Sequence, residues 1–425
     1  MTASRWADHL GQVLLPWWEA HGVDDEGGGV LTGFDNDGTL HTTDRFTWSQ
    51  GRWAWLAGEL TDEADAGRLD VDPSTWRRRC LATCDRLVRQ SVRQDHRTHF
   101  RVTADGEGVP DEAGETATSV FADLFAVLGL AAGLRQLSDA DPRLASWSAT
   151  GTGILETARA AIEGGTATAE PYPVPAGFAD LAGPMTLLHT AAVLLRSPTT
   201  DPAAAQRVRD WAGERLTTTH FTGEGWWEFA PLRAGLEDTL LARHRTPGHL
   251  LELLWMIVHA QDADPGWQLL PRERLTTLAR RAITMGWDDE HGGVLRYTDT
   301  DGGQPVGPLL GDSRYEQLVQ RTWDTKLWWV HAESLYALTL LGDGDGDGDR
   351  DGDHDPVLAD WADRVADWTM ATFPAADGQE WIQIRDRKGA PLNEVVALPV
   401  KDPFHPIRAM ILMNRLSIHR EKGRP

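Results

Sequence analysis

The chain has 425 residues, 20 of them Trp and only 4 Tyr, and a formal net charge of −23 at pH 7. A chain this acidic is repelled by nucleic acid and by anionic membranes, which argues against both as partners. No apolar run is long enough to span a bilayer and the segment Met1–Trp6 opens no signal sequence, so the expected location is cytoplasmic.

In chain order, the first distinctive stretch is Trp18-Glu19-Ala20-His21-Gly22-Val23-Asp24-Asp25-Glu26-Gly27-Gly28-Gly29-Val30-Leu31, followed by the turn Asp35-Asn36-Asp37-Gly38. Glycine clusters before short apolar runs, then Asp-Gly turns, predict β-hairpins. Trp48-Ser49-Gln50-Gly51-Arg52 comes next and sets an indole among polar groups. Trp17-Trp18-Glu19, Trp226-Trp227-Glu228 and Trp328-Trp329 do the same. Flat indole faces with polar neighbours suit sugar rings and their hydroxyls, although Trp also fills gaps between packed helices. Cys80 and Cys84 lie four apart in a helical context. That spacing strains a disulfide and two thiols alone make no zinc site, so both are read as reduced.

Asp105 to Thr118 is polar and Gly-rich and reads as poorly ordered. Amphipathic helical stretches follow at Val120 to Leu137, Met185 to Leu195, Ala203 to Thr217, Leu250 to His259 and Leu270 to Met285. The opening motif returns as Gly286-Trp287-Asp288-Asp289-Glu290-His291-Gly292-Gly293-Val294-Leu295, with its own turn at Asp299-Thr300-Asp301-Gly302-Gly303. Shorter echoes are Gly223 to Glu228 and Asp377 to Trp381, the latter ending in Asp386-Arg387-Lys388-Gly389. Helices continue at Leu327 to Leu341 and Val357 to Met370. Between them, Gly342 to Pro356 alternates Gly and Asp but lacks the bidentate Glu of a calcium loop, and reads as a solvated loop. Helices interrupted by recurring hairpins describe a repeat array, and a closed ring of helix pairs hides both of its ends.

Two segments carry the chemistry. In Thr246-Pro247-Gly248-His249, Thr246 suits an N-cap and Pro247 the first helical residue, so His249 falls in the first turn. Glu252 and Trp255 follow near the same face. The helix dipole at this end is expected to lower the His249 pKa, leaving a neutral base near pH 7. In Lys401-Asp402-Pro403-Phe404-His405-Pro406-Ile407-Arg408, Pro406 is expected to open a helix with His405 just before it. Alone, each histidine is as well read as a capping or packing residue. Brought together, two imidazoles suit taking a proton from carbon and returning it.

Four ordered motifs, Trp48 to Arg52, Pro247 to Trp255, Lys326 to Glu333 and Lys401 to Arg408, resemble the N-acylglucosamine 2-epimerase superfamily across nearly the whole chain. The resemblance implies an all-α fold, an (α/α)6 barrel with short β-hairpin insertions, as one catalytic domain over residues 1–425. It implies His249 and His405 as the acid/base pair, Arg52 on the sugar oxygen that becomes negative, and Glu252 orienting His249 or the sugar. Trp48, Trp255 and Trp329 would line the site, with Glu333 and Arg408 contacting the sugar. No cofactor and no metal are implied. The partner is a small sugar, with a homodimer by analogy. Departures are Thr186 where the superfamily often has His, with His189 three residues on read as structural, together with Ser49, Asp402 and Ile407.

The function expected is a sugar 2-epimerase, working through a cis-enediolate on an aldose of N-acylglucosamine, mannose or glucose type. An aldose–ketose isomerase would use the same two histidines. A glycoside hydrolase would need two carboxylates at a set separation, for which Asp24, Asp25, Asp288 and Asp289 are the loop acids. A non-catalytic carbohydrate- or protein-binding role would leave the histidines unused. His41, His189, His244, His291 and His331 show no metal-ligand spacing, and no Gly-Lys-Ser/Thr phosphate loop is present.

Overall fold

The structure is a computed structural model that describes residues 4–36, 38–110, 114–171, 173–311, 313–343, 354–375, 379–393 and 400–422. Most of the Gly/Asp tract read as a solvated loop lies outside the described residues. The helices are α1 (Arg5–His9), α2 (Leu15–His21), α3 (Thr47–Asp65), α4 (Pro73–Arg86), α5 (Val120–Gln136), α6 (Arg143–Glu163), α7 (Ala182–Leu195), α8 (Pro202–Arg215), α9 (Leu240–Arg243), α10 (Pro247–Ala263), α11 (Arg272–Gly286), α12 (Arg314–Thr322), α13 (Trp328–Gly342), α14 (Pro356–Thr372) and α15 (Phe404–Lys422).

Helices α3, α5, α7, α10, α13 and α15 each pack against the next, and α15 returns to α3, so they close a ring. These inner helices are apolar almost all round: α5, α7 and α13 bury residues on every face. The outer layer is α1 with α2, α4, α6, α8, α11 and α14, each against its inner neighbours. Its helices are polar outward, as in α11, where Leu275, Leu278, Ala279, Ala282 and Ile283 form the buried stripe. Chain order alternates outer and inner, which is the (α/α)6 barrel. Glycine permits the closest crossing: a Cβ on Gly51 of α3 would overlap the Phe125 carbonyl of α5. That approach sets Arg52 over the Phe125 ring, 4.0 Å from its centroid.

The two ends of the ring differ. Segments leading from an inner helix to the next outer one are short, such as 66–72 and 196–201. Those leading back into an inner helix are long and carry the strands β1 (Gly33–Phe34), β2 (Leu40–Thr42), β3 (Arg45–Phe46), β4 (Arg101–Val102), β5 (Phe178–Asp180), β6 (Phe229–Pro231), β7 (Lys326–Leu327) and β8 (Ile384–Arg385). Among the described residues, only the strands β1 and β2 pair as a hairpin within one loop. The other pairs stitch neighbouring loops: β3 with β4, β5 with β6 and β7 with β8, all antiparallel. Bridges Ser119–Ala169 and Arg245–Thr298 fill two gaps, and the Lys401 amide donates to the Thr32 carbonyl at 2.7 Å to close the last. A collar thus surrounds the mouth at the N-terminal ends of the inner helices.

The repeated motifs fold alike. Val23–Val30 and Trp287–Val294 are equivalent bridges, and the Asp24 and Asp288 amides donate to the Gly29 and Gly293 carbonyls. Each is anchored on the fourth residue of an inner helix: the Val30 amide donates to Gln50, the Val294 amide to His331. These are bridged turns rather than the extended hairpins expected. Asp105 to Thr118 also departs from its reading, because Val102–Gly108 and Pro110–Thr116 bridges order its described residues.

Candidate active site

A cavity of about 650 Å³ opens at the collared mouth. That is a usual size for a small-molecule site. Trp48, Arg52, His249, Trp328, Trp329, Asp402 and His405 line it, all from the first two turns of inner helices or the residues just before them.

His249 stands in the first turn of α10, which begins at Pro247 as expected, although the Thr246 side chain makes no capping bond. Its Nδ1 lies 2.8 Å from Glu228 Oε1. That contact assigns the proton to Nδ1 and leaves Nε2 as the nitrogen able to exchange a proton. The dipole-based expectation for its pKa is overturned. Burial pushes His249 down, but Glu228, with Glu252 and Asp180 behind it, outweighs burial and holds the imidazole above its ordinary value.

His405 lies inside α15, which begins at Phe404 rather than at Pro406. The helix starts early because the Asp402 carboxylate accepts from the Phe404 and His405 amides at 3.2 and 3.3 Å. His405 Nδ1 lies 2.7 Å from Glu333 Oε1, so this imidazole too is held by a carboxylate on Nδ1. Trp329 stands between the pair, its ring centroid 5.0 Å from that of His249 and 6.1 Å from that of His405.

Arg52 on α3 reaches the same space. Its Nη1 is 3.6 Å from Asp402 Oδ1, and its Nε has no hydrogen-bond partner. Burial would raise Asp402, but His405 and Arg52 beside it hold the carboxylate below its usual value. Trp328 Nε1 donates to the same carboxylate at 3.1 Å.

Three residues expected to contact the sugar lie beneath the cavity instead. Trp255 is buried and donates from Nε1 to Glu333 Oε2 at 2.8 Å. Glu333 spends both oxygens on Trp255, His405 and Arg408. Arg408, 2% exposed, donates Nη2 to Glu252 at 3.0 Å and to Glu333 at 2.5 Å. Glu252 lines the cavity, yet its partner is Arg408 and the group orienting His249 is Glu228. The cause is geometric: a collar loop can bring a carboxylate to His249 Nδ1 from the side, whereas Glu252 rises from the same helix. Glu252, Glu333 and His405 cluster closely enough to suggest a cation site, but the Arg408 guanidinium already supplies its positive charge.

Among these cavity residues, sequence reasoning gave no place to Asp180, marked Glu228 only as a polar neighbour of Trp227 and not as the partner of His249, and marked Trp328 only as an indole suited to a sugar. The β5–β6 pairing brings the first two together, with the Leu181 amide on the Glu228 carbonyl at 2.9 Å. Burial and the charge of Glu228 push Asp180 up to about 6. His189 is buried against Trp255, ring centroids 5.0 Å apart, in the structural place expected. The loop acids Asp24 and Asp288 hold turns through Arg45 and through Lys326 with Arg387, outside the cavity.

Comparison with known proteins bears on this geometry. The family model for N-acylglucosamine 2-epimerase (GlcNAc 2-epimerase) matches residues 204–409. The N-acylglucosamine 2-epimerase of Homo sapiens is 24% identical, covering 98% of this chain and 91% of its own. Among solved structures, a sugar epimerase from a ruminal bacterium superposes with a TM-score of 0.74 at 14% identity, covering 98% of this chain and 99% of its own. A D-mannose isomerase superposes with a TM-score of 0.71 at 13% identity, covering 97% and 98%.

Proposed function

We propose that the chain is a member of the N-acylglucosamine 2-epimerase superfamily, which the match over residues 204–409 and the 24% identical human relative support, and that it is a sugar 2-epimerase whose acid and base are His249 and His405. One observation carries the reading: two imidazoles, each held through Nδ1 by a carboxylate, flank Trp329 in a cavity that also holds Arg52. One turnover begins with the open-chain aldose. The neutral imidazole takes the C2 proton, the C2–H electrons form the C1–C2 double bond, and the carbonyl oxygen becomes the enediolate oxygen. Arg52 stabilises that charge, which exists only after proton removal, so its help goes to the transition state. The other imidazole, protonated at the start, returns a proton to the opposite face of C2. The carbonyl re-forms and the epimer leaves.

His249 is the member that starts protonated, because Glu228 favours its charged form. His405 is then the base in that direction, and the roles exchange in reverse. Trp48 and Trp329 offer faces to the sugar. Among the described residues no helix is long and apolar enough to cross a membrane, in keeping with a small-molecule enzyme.

The test is NMR in heavy water with mannose, glucose, N-acetylglucosamine, N-acetylmannosamine and cellobiose. Deuterium at C2 together with the epimer supports the proposal and names the sugar. Fructose from mannose would convert it to an aldose–ketose isomerase. Folded protein giving no exchange with any of them would count against both.

A further inference from the structure

We propose that the cavity contains a second subsite, built on Arg296, for a single negative charge carried by the substrate. The proposal rests on the sugar-epimerase reading and extends it to the class of sugar.

Arg296 follows the second copy of the repeated motif, and its amide donates to the Thr325 carbonyl at 3.1 Å, which fixes its backbone. The residue is 5% exposed and lines the cavity. Its guanidinium carbon lies 4.8 Å from the Tyr297 ring centroid. Nη1 has no hydrogen-bond partner, and among the described residues no carboxylate lies within ion-pairing distance.

The other arginines near the mouth are matched. Arg52 faces Asp402, Arg408 lies between Glu252 and Glu333, and Arg243 meets Asp299. Arg245, also buried, gives Nη1 to the carbonyls of Ala242, Arg243 and His244. Arg245 and Arg296 both lack a carboxylate partner among the described residues, but in this group only Arg296 leaves Nη1 with no acceptor while lining the cavity. A buried charge without a partner costs several kcal/mol, and a ligand of opposite charge removes that cost.

The chemistry of the ligand follows from the count. One guanidinium balances one negative charge. Its planar fork accepts a carboxylate in two parallel hydrogen bonds, a geometry a lysine could not offer. Tyr297 and Tyr315 bring phenols to the same wall. The subsite therefore fits a sugar bearing one carboxylate, as in a uronic acid, with the reacting carbons at the histidine pair.

The experiment compares kcat/KM for C2 deuterium exchange on mannose, mannuronate and mannose 6-phosphate, using wild type and Arg296→Gln. Wild type should prefer mannuronate to mannose by about tenfold or more, and Arg296→Gln should cut that ratio by ~10- to 100-fold. Arg296→Lys should retain part of it, because the charge survives without the fork. Equal rates on the two sugars in wild type, or an unchanged ratio in Arg296→Gln, would overturn the subsite. A larger preference for the phosphate would overturn the single-charge assignment. If no sugar exchanges, the epimerase reading fails by itself. Calorimetric binding of glucuronate then still decides for or against Arg296, and thermal melts identify any variant that has not folded.

Discussion

Replacing Glu228 by Gln is the sharpest perturbation of the acid/base pair. The glutamine keeps the length and can still meet His249 Nδ1, but it removes the charge. The bond it replaces is 2.8 Å long and joins a buried carboxylate to an imidazole that is 23% exposed at the cavity. A charge-assisted bond of this kind is worth ~1.5–3 kcal/mol, or roughly 10- to 150-fold in rate when it acts on the transition state. An amide that turns its NH2 toward Nδ1 also forces the wrong tautomer, and in a serine-protease triad that error costs ~10⁴ in kcat. The expected loss therefore lies between about 10- and 10⁴-fold in kcat, with KM changed less than about threefold. The pH dependence carries a sign as well. With Glu228 gone, burial dominates and the His249 pKa falls. Activity that needs His249 protonated is lost as pH rises through that pKa, so this limb moves to lower pH in the variant. C2 proton exchange followed by NMR between pH 5 and 9 reads all three quantities. A variant with wild-type kcat, or one whose loss is entirely in KM with the limb unmoved, would refute Glu228 as the group controlling His249.

Arg52→Lys keeps the charge but not the fork and should lower kcat by ~10²-fold in the same assay. Unchanged turnover would remove Arg52 from the enediolate. Glu252→Gln leaves Arg408 paired with Glu333 alone, and the loss of one buried charge-assisted bond should lower stability by ~1.5–3 kcal/mol in thermal or urea melts. No change would mean that the cluster adapts. Asp180 has a folded value of about 6 against an ordinary 3.8, so ionising it in the folded state costs up to ~3 kcal/mol, less where cavity water reaches it. That cost is absent below about pH 4 and complete above about pH 6, so Asp180→Asn should raise the Tm at pH 7.5 but not at pH 4; an equal shift at both would refute it. His220 and His244 are pushed down to about 4, and His259 and His331 to about 3, by burial. Their stabilisation is intact above the unfolded value near 6.5 and is lost as pH falls below it. The four together should cost up to roughly 6 kcal/mol between pH 7 and 5. A Tm that is flat over this window would show that they do not stay neutral.

The legible parts of this molecule are those written in local sequence. Pro247 marks the start of α10, and the repeated Gly-rich motif folds twice into the same bridged turn. Four spaced motifs placed His249, His405 and Arg52 on one cavity before any coordinates. What stayed hidden depends on the collar. Glu228 reaches His249 because β6 pairs with β5, a contact between loops that no periodicity announces. Trp255, Glu333 and Arg408 were misplaced for a related reason. Inner helices are buried all round, so helical spacing cannot separate the face toward the cavity from the face beneath it. Tryptophan divided similarly: Trp48, Trp328 and Trp329 line the cavity, whereas Trp17, Trp18 and Trp226 are core. The start of α15 moved because Asp402 caps it from outside, overriding the expectation drawn from Pro406.

The two histidines look equivalent, each with a carboxylate on Nδ1, but the charge around those carboxylates differs. Glu333 shares its negative charge with Arg408 and gives its second oxygen to Trp255. Much of the field it could offer His405 is therefore already spent. Among the described residues Glu228 makes no ion pair with an arginine, and the buried Arg245 acts on it only from longer range. Its Oε2 lacks a hydrogen-bond partner, and the uncharged-to-acidic Asp180 lies beside it. An imidazolium is stabilised by the unneutralised charge it faces, which supports His249 as the proposed acid. A C2 epimerase works on two sugars of nearly equal energy, so it needs an acid and a base that can trade roles without either becoming trapped. In the proposed mechanism a modest bias of this kind would let one imidazole begin protonated while leaving the exchange reversible.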